Sequence, residues 1–396
     1  MLLGGAGNDL IVGDSSTNFT AINILNGFGG NDTITSRSWL DQVNAGAGDD
    51  LVGSFAQQTD QVVNGGTGHD GLVVSSLSSI NNPINVTLGS TFVFIINGIN
   101  GATYMNFEAL DVTLGTGANT VTGGAGHDTL SLSFVQSQTG SGTAIVEGGA
   151  GLDVVTLTLI AATTALVLDL SAATVTLANG ALFTGIEGFR LQSTAGHDSI
   201  IASNDLRGAA YNTIDGGSGN DTLQASSSGA ALNGGFGIDL LLGSTGHDGL
   251  SGGFGGENDT LRGFAGNDTL VGGIGRDLLV GGIGADHFAL LQYYESGTTN
   301  LTRDLIDDFR RAQGDLIDLF TIDARVLAGD PGDQAFVFIG TGPFANAGEL
   351  RFELVDLAGT ADDHTLIHGN INGDIIADFS IEVKGLITFQ ATDFVL

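Results

Sequence analysis

From Gly234 onward an aspartate returns about every nine residues, and an apolar side chain stands two residues after each. The run reads GGFGIDLLL, GSTGHDGLS, GGFGGENDTLR, GFAGNDTLV, GGIGRDLLV, GGIGADHFA, with aspartates at Asp239, Asp248, Asp259, Asp268, Asp277 and Asp286. Their spacings are 9, 11, 9, 9 and 9, the 11 arising from a two-residue insertion before Asp259. The apolar partners are Leu241, Leu250, Leu261, Leu270, Leu279 and Phe288. A helix of period 3.6 cannot keep such a rule over nine residues, but a short strand after a turn can.

The same unit appears upstream with wider gaps, at Asp9, Asp32, Asp50, Asp70, Asp128, Asp153, Asp198 and Asp221. Each has an apolar residue at the second following position and a glycine at the second preceding one. Worn copies stand at Asp41 with Val43 and at Asn119 with Val121. Repetition on this scale implies coils that each bury one face against their neighbours. Glycine adopts positive φ without penalty, so paired glycines let the backbone reverse tightly twice per coil. Two nonapeptides close one flattened coil, and successive coils stack as parallel strands about 4.8 Å apart. Leu270 and Leu279 then line opposite walls of a single turn.

Charge narrows the partners. The 396 residues carry 44 acids against 11 bases, a formal charge of −33, and Lys384 is the one lysine. Nucleic acid and anionic membrane both need clustered Lys and Arg, so neither is an expected partner, and a cation is. There is no cysteine, which removes disulfides, thiolate metal sites and cysteine nucleophiles. No run of about 18 apolar residues reads as a membrane-inserted helix. The N-terminus lacks the charged start and apolar run of a secretory signal peptide and begins inside a repeat, which suggests a fragment of something longer.

The pattern G-G-x-G-x-D-x-(apolar)-x resembles the RTX, or haemolysin-type, calcium-binding nonapeptide repeats. The likeness is clean over 234–289 and intermittent over 4–230. It implies an all-β fold, a parallel β-helix or β-roll, and several Ca²⁺ ions between consecutive coils. Stacking superimposes Asp259 on Asp277 and Asp268 on Asp286; Asp239 meets Asp259 and Asp248 meets Asp268 if the insertion bulges outward. Rows of like charge oppose folding, and a hard divalent cation reverses that. The ligands are the fourteen repeat aspartates named above with main-chain oxygens of the glycine turns, at Gly235, Gly237, Gly253, Gly255, Gly273, Gly275, Gly282 and Gly284. Oxygen ligands without sulfur suit calcium rather than zinc, and magnesium prefers a rigid octahedron. The alternative is that the aspartates merely cap turns.

Two inserts resemble each other, one with Phe107-Glu108-Ala109-Leu110 and one with Ile186-Glu187-Gly188-Phe189. Apolar, threonine-rich runs (92–96 and 165–170) precede them and read as longer strands, in extra β-helix coils without metal. After Phe288 the period vanishes. Asp304-Leu305-Ile306-Asp307-Asp308-Phe309, then Gly314-Asp315-Leu316-Ile317-Asp318-Leu319, resembles the segment that follows the repeats in serralysin-type proteases. Leu366–Asp374 looks like the same family's terminal region, with Asn370 where an aspartate is usual, and the end Asp393-Phe394-Val395-Leu396 is similar to a type I secretion signal. A plain edge strand is the alternative for those last residues. The expected organisation is 1–232 as a degenerate β-helix with two inserts, 233–289 as the regular calcium-binding roll, and 290–396 as a β-rich cap.

Enzyme signatures fail. No H-E-x-x-H occurs. His69, His127, His197 and His247 immediately precede repeat aspartates and read as outward-facing turn residues, and His287, His364 and His368 form no motif. Gly249-Leu250-Ser251-Gly252-Gly253 matches G-x-S-x-G, but it lies inside a repeat where no strand-to-helix elbow can form. The expectation is a secreted, extracellular, non-catalytic calcium-binding protein of a Gram-negative bacterium, exported by a type I apparatus and folding on meeting calcium. The competing readings are the carboxyl-terminal part of a serralysin-type metalloprotease or polysaccharide-modifying enzyme, and a surface-layer or adhesin component. Ice binding needs a flat, regular Thr or Asn row, which the worn spacing does not supply. The sequence does not specify self-association.

Overall fold

The computed structural model describes residues 1–13, 23–37, 41–55, 62–75, 85–87, 89, 92–96, 99–105, 107–114, 120–124, 127–135, 145–160, 165–177, 182–193, 195–203, 212–325, 334–357 and 363–396. Among them, strands are the rule and the helical pieces are two short 3-10 turns, Arg311–Gln313 and Ala391–Asp393. No helix among the described residues is long and apolar enough to cross a membrane. Two compact units emerge, Met1–Ala162 with Leu168–Gln192, and Thr163–Val167 with Ser193–Leu396.

In the first unit the strand after each ladder aspartate pairs in parallel with its counterpart one coil on. The order is Leu10–Val12, Thr33–Thr35, Leu51–Phe55, Gly71–Ser75, Ala109–Leu114, Thr129–Val135, Val154–Ile160 and Gly188–Gln192. The opposite wall holds Leu2–Leu3, Ile24–Gly29, Gln42–Ala47, Val62–Thr67 and Ile99–Met105. Two segments depart from the all-parallel coil expected of the inserts. Phe92–Ile96 folds back antiparallel on Ile99–Met105, and Thr174–Thr176 does so on Leu182–Thr184. The worn copy at Asn119 falls outside the described residues.

In the second unit the two walls alternate as the nonapeptides do. One carries Thr222–Gln224, Leu240–Ser244, Thr260–Ala265, Leu278–Ile283 and Leu305–Ile306; the other carries Ala231–Gly235, Gly249–Gly253, Thr269–Val271, His287–Ala289 and Leu316–Asp318. Leu241, Leu261, Leu279 and Ile306 stack on the first wall, Leu250, Leu270, Phe288 and Ile317 on the second, and all are buried. The insertion before Asp259 does bulge: Phe254, Gly256, Glu257 and Asn258 are exposed while the strands on either side keep register. Truncating Leu261→Ala should cost about 2–5 kcal/mol, because its neighbours on both coils leave no route for the cavity to collapse. Urea unfolding of the calcium-loaded chain measures it.

The C-terminal segment continues the stack. Beyond Leu305–Ile306 comes Phe379–Lys384 in parallel, then His364–Asn370 and Glu349–Val355 antiparallel. The strand Phe394–Val395 pairs with Ile317–Asp318. Asp393 is buried, takes a two-pronged ion pair from Arg311 (2.5 Å for each contact) and closes a capping box with Gln390. Phe309, Phe389, Phe394, Phe338 and Phe352 pack as an aromatic core behind it. The final strand therefore covers a ladder edge that would otherwise offer unpaired backbone groups.

Candidate metal centre

Each repeat aspartate is fixed from two sides. Its strand holds it in line with the aspartates of neighbouring coils, and its turn bends the carboxylate back beneath the paired glycines. The backbone N–H of one aspartate donates to Oδ1 of the next. In the second unit one ladder runs Asp198, Asp221, Asp239, Asp259, Asp277, Asp304, with N···O distances of 2.7–2.9 Å. The other starts with the N–H of Ala230 on Asp248 and continues through Asp268, Asp286 and Asp315, at 2.7–3.2 Å. In the first unit Asp9, Asp32, Asp50 and Asp70 are joined the same way, ending on Glu108, and Asp128 and Asp153 end on Glu187.

The partners are 18, 20, 23 or 25 residues apart within the repeats. Fixed spacing is thus not what stacks them. The aspartate edge stays in register over coils of unequal length, and in the Asp239–Asp259 coil the two extra residues bulge from the turn just before Asp259. The fourteen predicted aspartates all lie on these ladders.

Oδ2 is a different matter. In Asp32, Asp50, Asp70, Asp153, Asp221, Asp239, Asp268, Asp277 and Asp286 it is buried with no hydrogen-bond donor. In the turns of Asp32, Asp153, Asp221, Asp239 and Asp268 it lies over the first glycine, where a carbonyl oxygen of the next coil also points. A methyl group on Gly27 would strike both Asp32 Oδ2 and the carbonyl oxygen of Ala45. At Gly216, Gly234, Gly252 and Gly263 the corresponding pairs are Asp221 with Gly234, Asp239 with Gly252, Asp259 with Gly272, and Asp268 with Gly281. Two oxygens converging on one space with no hydrogen between them is costly, unless a proton or a cation enters.

The protonation equilibria register that cost. Burial pushes Asp221, Asp259, Asp268 and Asp277 up to about 7. It pushes Asp70, Asp153 and Asp315 up to about 6. The N–H donated from the adjacent coil pulls each one down, and for Asp221, Asp259 and Asp268 the carboxylates one coil away push up again. Asp50, Asp128, Asp239, Asp248 and Asp286 are raised by the same burial.

Among the described residues, no three Asp, Glu, His or Cys side chains gather in one place. A cation here would be held by no more than two carboxylates, with main-chain carbonyls supplying the other oxygens. That is an all-oxygen donor set, which fits calcium and excludes a thiolate or imidazole metal.

Of the predicted glycines, Gly235, Gly237, Gly253, Gly273, Gly282 and Gly284 have positive φ, between 90° and 146°. Gly255 lies in the bulge against Glu257, and Gly275 faces the Glu257 carbonyl with Asp277 Oδ1 beside it. The sequence reading missed the first glycines (Gly216, Gly234, Gly243, Gly252, Gly263, Gly272, Gly281), which directly face Oδ2. Their signal is a glycine five residues before the aspartate, seven where the insertion intervenes. It also missed Asp304 and Asp315 as ladder members, although each has an isoleucine two residues on, at Ile306 and Ile317.

A second, outer ladder runs alongside with opposite polarity. The residue before each aspartate accepts an N–H from the next coil: Asn8 from Asn31, Asn31 from Asp49, Asn220 from Ile238, Asn267 from Ala285. His127, His197 and His247 do so through Nδ1, at 2.7–2.8 Å. These histidines are therefore surface struts that accept through Nδ1.

The family model described as the RTX calcium-binding nonapeptide repeat matches in four copies, at residues 1–19, 112–133, 208–228 and 255–288. No curated protein matches the chain. Repeats of this family imply calcium binding and are typical of secreted proteins. With its parallel strands, glycine turns and stacked aspartates, this chain carries RTX calcium-binding nonapeptide repeats in those four stretches.

Proposed function

We propose that the chain is a secreted, non-catalytic calcium-binding scaffold that folds when it meets calcium after export through a type I secretion channel. The observation that carries this reading is the set of nine buried Oδ2 atoms without a donor. Calcium would supply the positive charge those turns lack. Asp Oδ2 and the next coil's carbonyl oxygen would hold it, while Oδ1 stays committed to the N–H of the preceding coil. The small residue that begins each of these turns, glycine in all but the Asp50 turn (Ala45), leaves room beside Oδ2. Where calcium is scarce, as in a cytosol, the uncompensated oxygens leave the coil only marginally stable, so the chain is largely unfolded and exportable at neutral pH although a weak metal-free fold still melts measurably. Outside, binding to the folded state alone drives folding.

The absence of catalysis in this reading is supported by two places that could look otherwise. Ser251 stands between Asn233 and Val271 in its sheet, with no base aligned beside it. His368 Nδ1 lies 2.7 Å from Ser380 Oγ, but that serine is fully buried and no substrate carbonyl can reach it. The burial that lowers His368 to about 4 keeps its ring neutral.

Circular dichroism in EGTA followed by calcium titration tests the proposal. β-signal should rise with calcium, with midpoints at about 0.1–1 mM, as extracellular modules show. Calorimetry should count several ions, and magnesium at the same concentration should not substitute. A full β-spectrum in EGTA at pH 8, unchanged by calcium, would sink it.

A further inference from the structure

The turns come in two backbone states. In one, the second turn residue has positive φ and Oδ2 of the turn's aspartate receives no N–H. This holds for Phe28 with Asp32, Gly46 with Asp50, Gly66 with Asp70, Gly149 with Asp153 and Gly217 with Asp221. It holds again for Gly235 with Asp239, Phe264 with Asp268, Gly273 with Asp277 and Gly282 with Asp286. Phe28 and Phe264 sit at φ of 75° and 69°, where a side chain is strained, so the conformation is imposed by the turn and not merely permitted by glycine.

In the other state the second residue is outside the left-handed region and its N–H turns back onto Oδ2. Gly5 donates to Asp9 at 2.6 Å, Gly124 to Asp128 at 2.5 Å, and Ser244 to Asp248 at 2.7 Å. Ser244 adds its hydroxyl to the same oxygen at 3.0 Å. In two more turns a hydroxyl meets Oδ2: Ser193 Oγ lies 2.6 Å from Asp198 Oδ2, and Ser36 Oγ 2.9 Å from Asp41 Oδ2. In both, serine occupies the position, five residues before the aspartate, that is glycine in the open turns except that of Asp50, where it is Ala45.

The closed turns are not scattered. Asp198 and Asp248 are the first carboxylates of the two ladders in the second unit, and Asp9 and Asp128 are the first of the two rows in the first unit; Asp41 stands outside these ladders.

We propose that calcium enters only the turns whose second residue has positive φ, and that Ser193 and Ser244 hold the first turn of each ladder in the second unit shut without metal. The inference rests on the calcium reading above and refines it. The hydroxyl donates the hydrogen that an open turn lacks, so these coils are complete before any ion arrives and offer a template for the next. Gly243-Ser244-Thr245-Gly246-His247-Asp248 differs from an open turn chiefly at its second position. A glycine there can take positive φ and withdraw its N–H.

The test is calcium stoichiometry by calorimetry on the whole chain, with metal-free melting as a second readout. Ser244→Gly should bind one ion more than the parent, by releasing Asp248 Oδ2. Ser244→Ala removes the hydroxyl but keeps ordinary φ, so its ion count should equal the parent's. Ser193→Ala should lower the metal-free melting temperature by about 5 °C, through loss of a buried bond to a carboxylate. If the parent binds several ions and Ser244→Gly adds none, the inference fails while the calcium reading stands. If the parent binds none, the calcium reading fails. Ser193→Ala then judges the hydroxyl closure alone, and an unchanged melting temperature overturns it.

Discussion

In EGTA, the chain should melt higher at pH 5 than at pH 8, the reverse of the usual behaviour of a protein rich in paired carboxylates. The unfolded chain releases its carboxyl protons near pH 4, the ordinary aspartate value. The folded, metal-free chain holds them to about pH 7 at Asp221, Asp259, Asp268 and Asp277, and to about 6 at Asp70, Asp153 and Asp315. Between those limits the native state binds more protons, so stability falls as pH rises from about 4 to about 7. If exposure to solvent trims each group to about 0.7 kcal/mol, the five in the second unit sum to about 3–4 kcal/mol, a rise of about 10 °C on acidification. Calcium and the proton compete for the same oxygens, so saturating calcium should flatten or invert the profile. Differential scanning calorimetry across pH 5–8, with and without calcium, reads both curves. A metal-free midpoint that falls on acidification would show that Oδ2 is already paid for by some other donor.

Much of this was legible in the residues themselves. The aspartate–apolar rule places the wall residues, and Leu241 to Phe288 lie where it puts them. The turns were legible too, because paired glycines before an aspartate permit little else. What the spacing concealed is that the ladder survives coils of unequal length. Asp9 and Asp32 stand 23 residues apart, and Asp128 and Asp153 stand 25 apart, yet both pairs are hydrogen-bonded as closely as those 18 apart. Register is set by the edge that closes the coil, and a sequence period records only the sum of both edges.

The open and closed turns were not legible at all. Gly4-Gly5 and Gly234-Gly235 read identically, yet Gly5 donates to Asp9 while Gly235 takes a φ of 105° and leaves Asp239 without a donor. Stacking decides that: Gly235 pairs with Gly253 on the following coil, and a Cβ on it would strike the carbonyl of Gly217 on the preceding one. Glutamate as a ladder end was hidden for a simpler reason. Glu108 and Glu187 reach the N–H of Asp70 and Asp153 with one methylene more, a substitution that the nonapeptide pattern does not contain.

Replacing Asp268 by asparagine should stabilise the metal-free chain and weaken the calcium-loaded one, an opposition of sign that a merely structural aspartate would not give. Asp268 Oδ1 accepts the Asp248 N–H at 2.8 Å, and asparagine keeps that acceptor. At Oδ2 it substitutes an NH₂ group, which faces the Gly281 carbonyl across the space above Gly263. The repulsive oxygen pair then becomes a donor and an acceptor, and a carboxylate that burial raises to about 7 no longer has to be discharged. The same amide removes the anionic oxygen a cation requires, so one ion should vanish from the stoichiometry. At calcium a hundredfold above the dissociation constant, that ion is worth about 2.7 kcal/mol of stability. Asp268→Ala separates the two contributions. It abolishes the ion and also orphans the Asp248 N–H, so it should fall below the parent with or without calcium, by about 1–3 kcal/mol in EGTA. Melting temperatures of the parent and both variants, in EGTA and in excess calcium, give the full comparison. Asparagine that destabilises in EGTA as alanine does would mean that Oδ2 has a partner of its own, and the case for a cation at that turn would be lost.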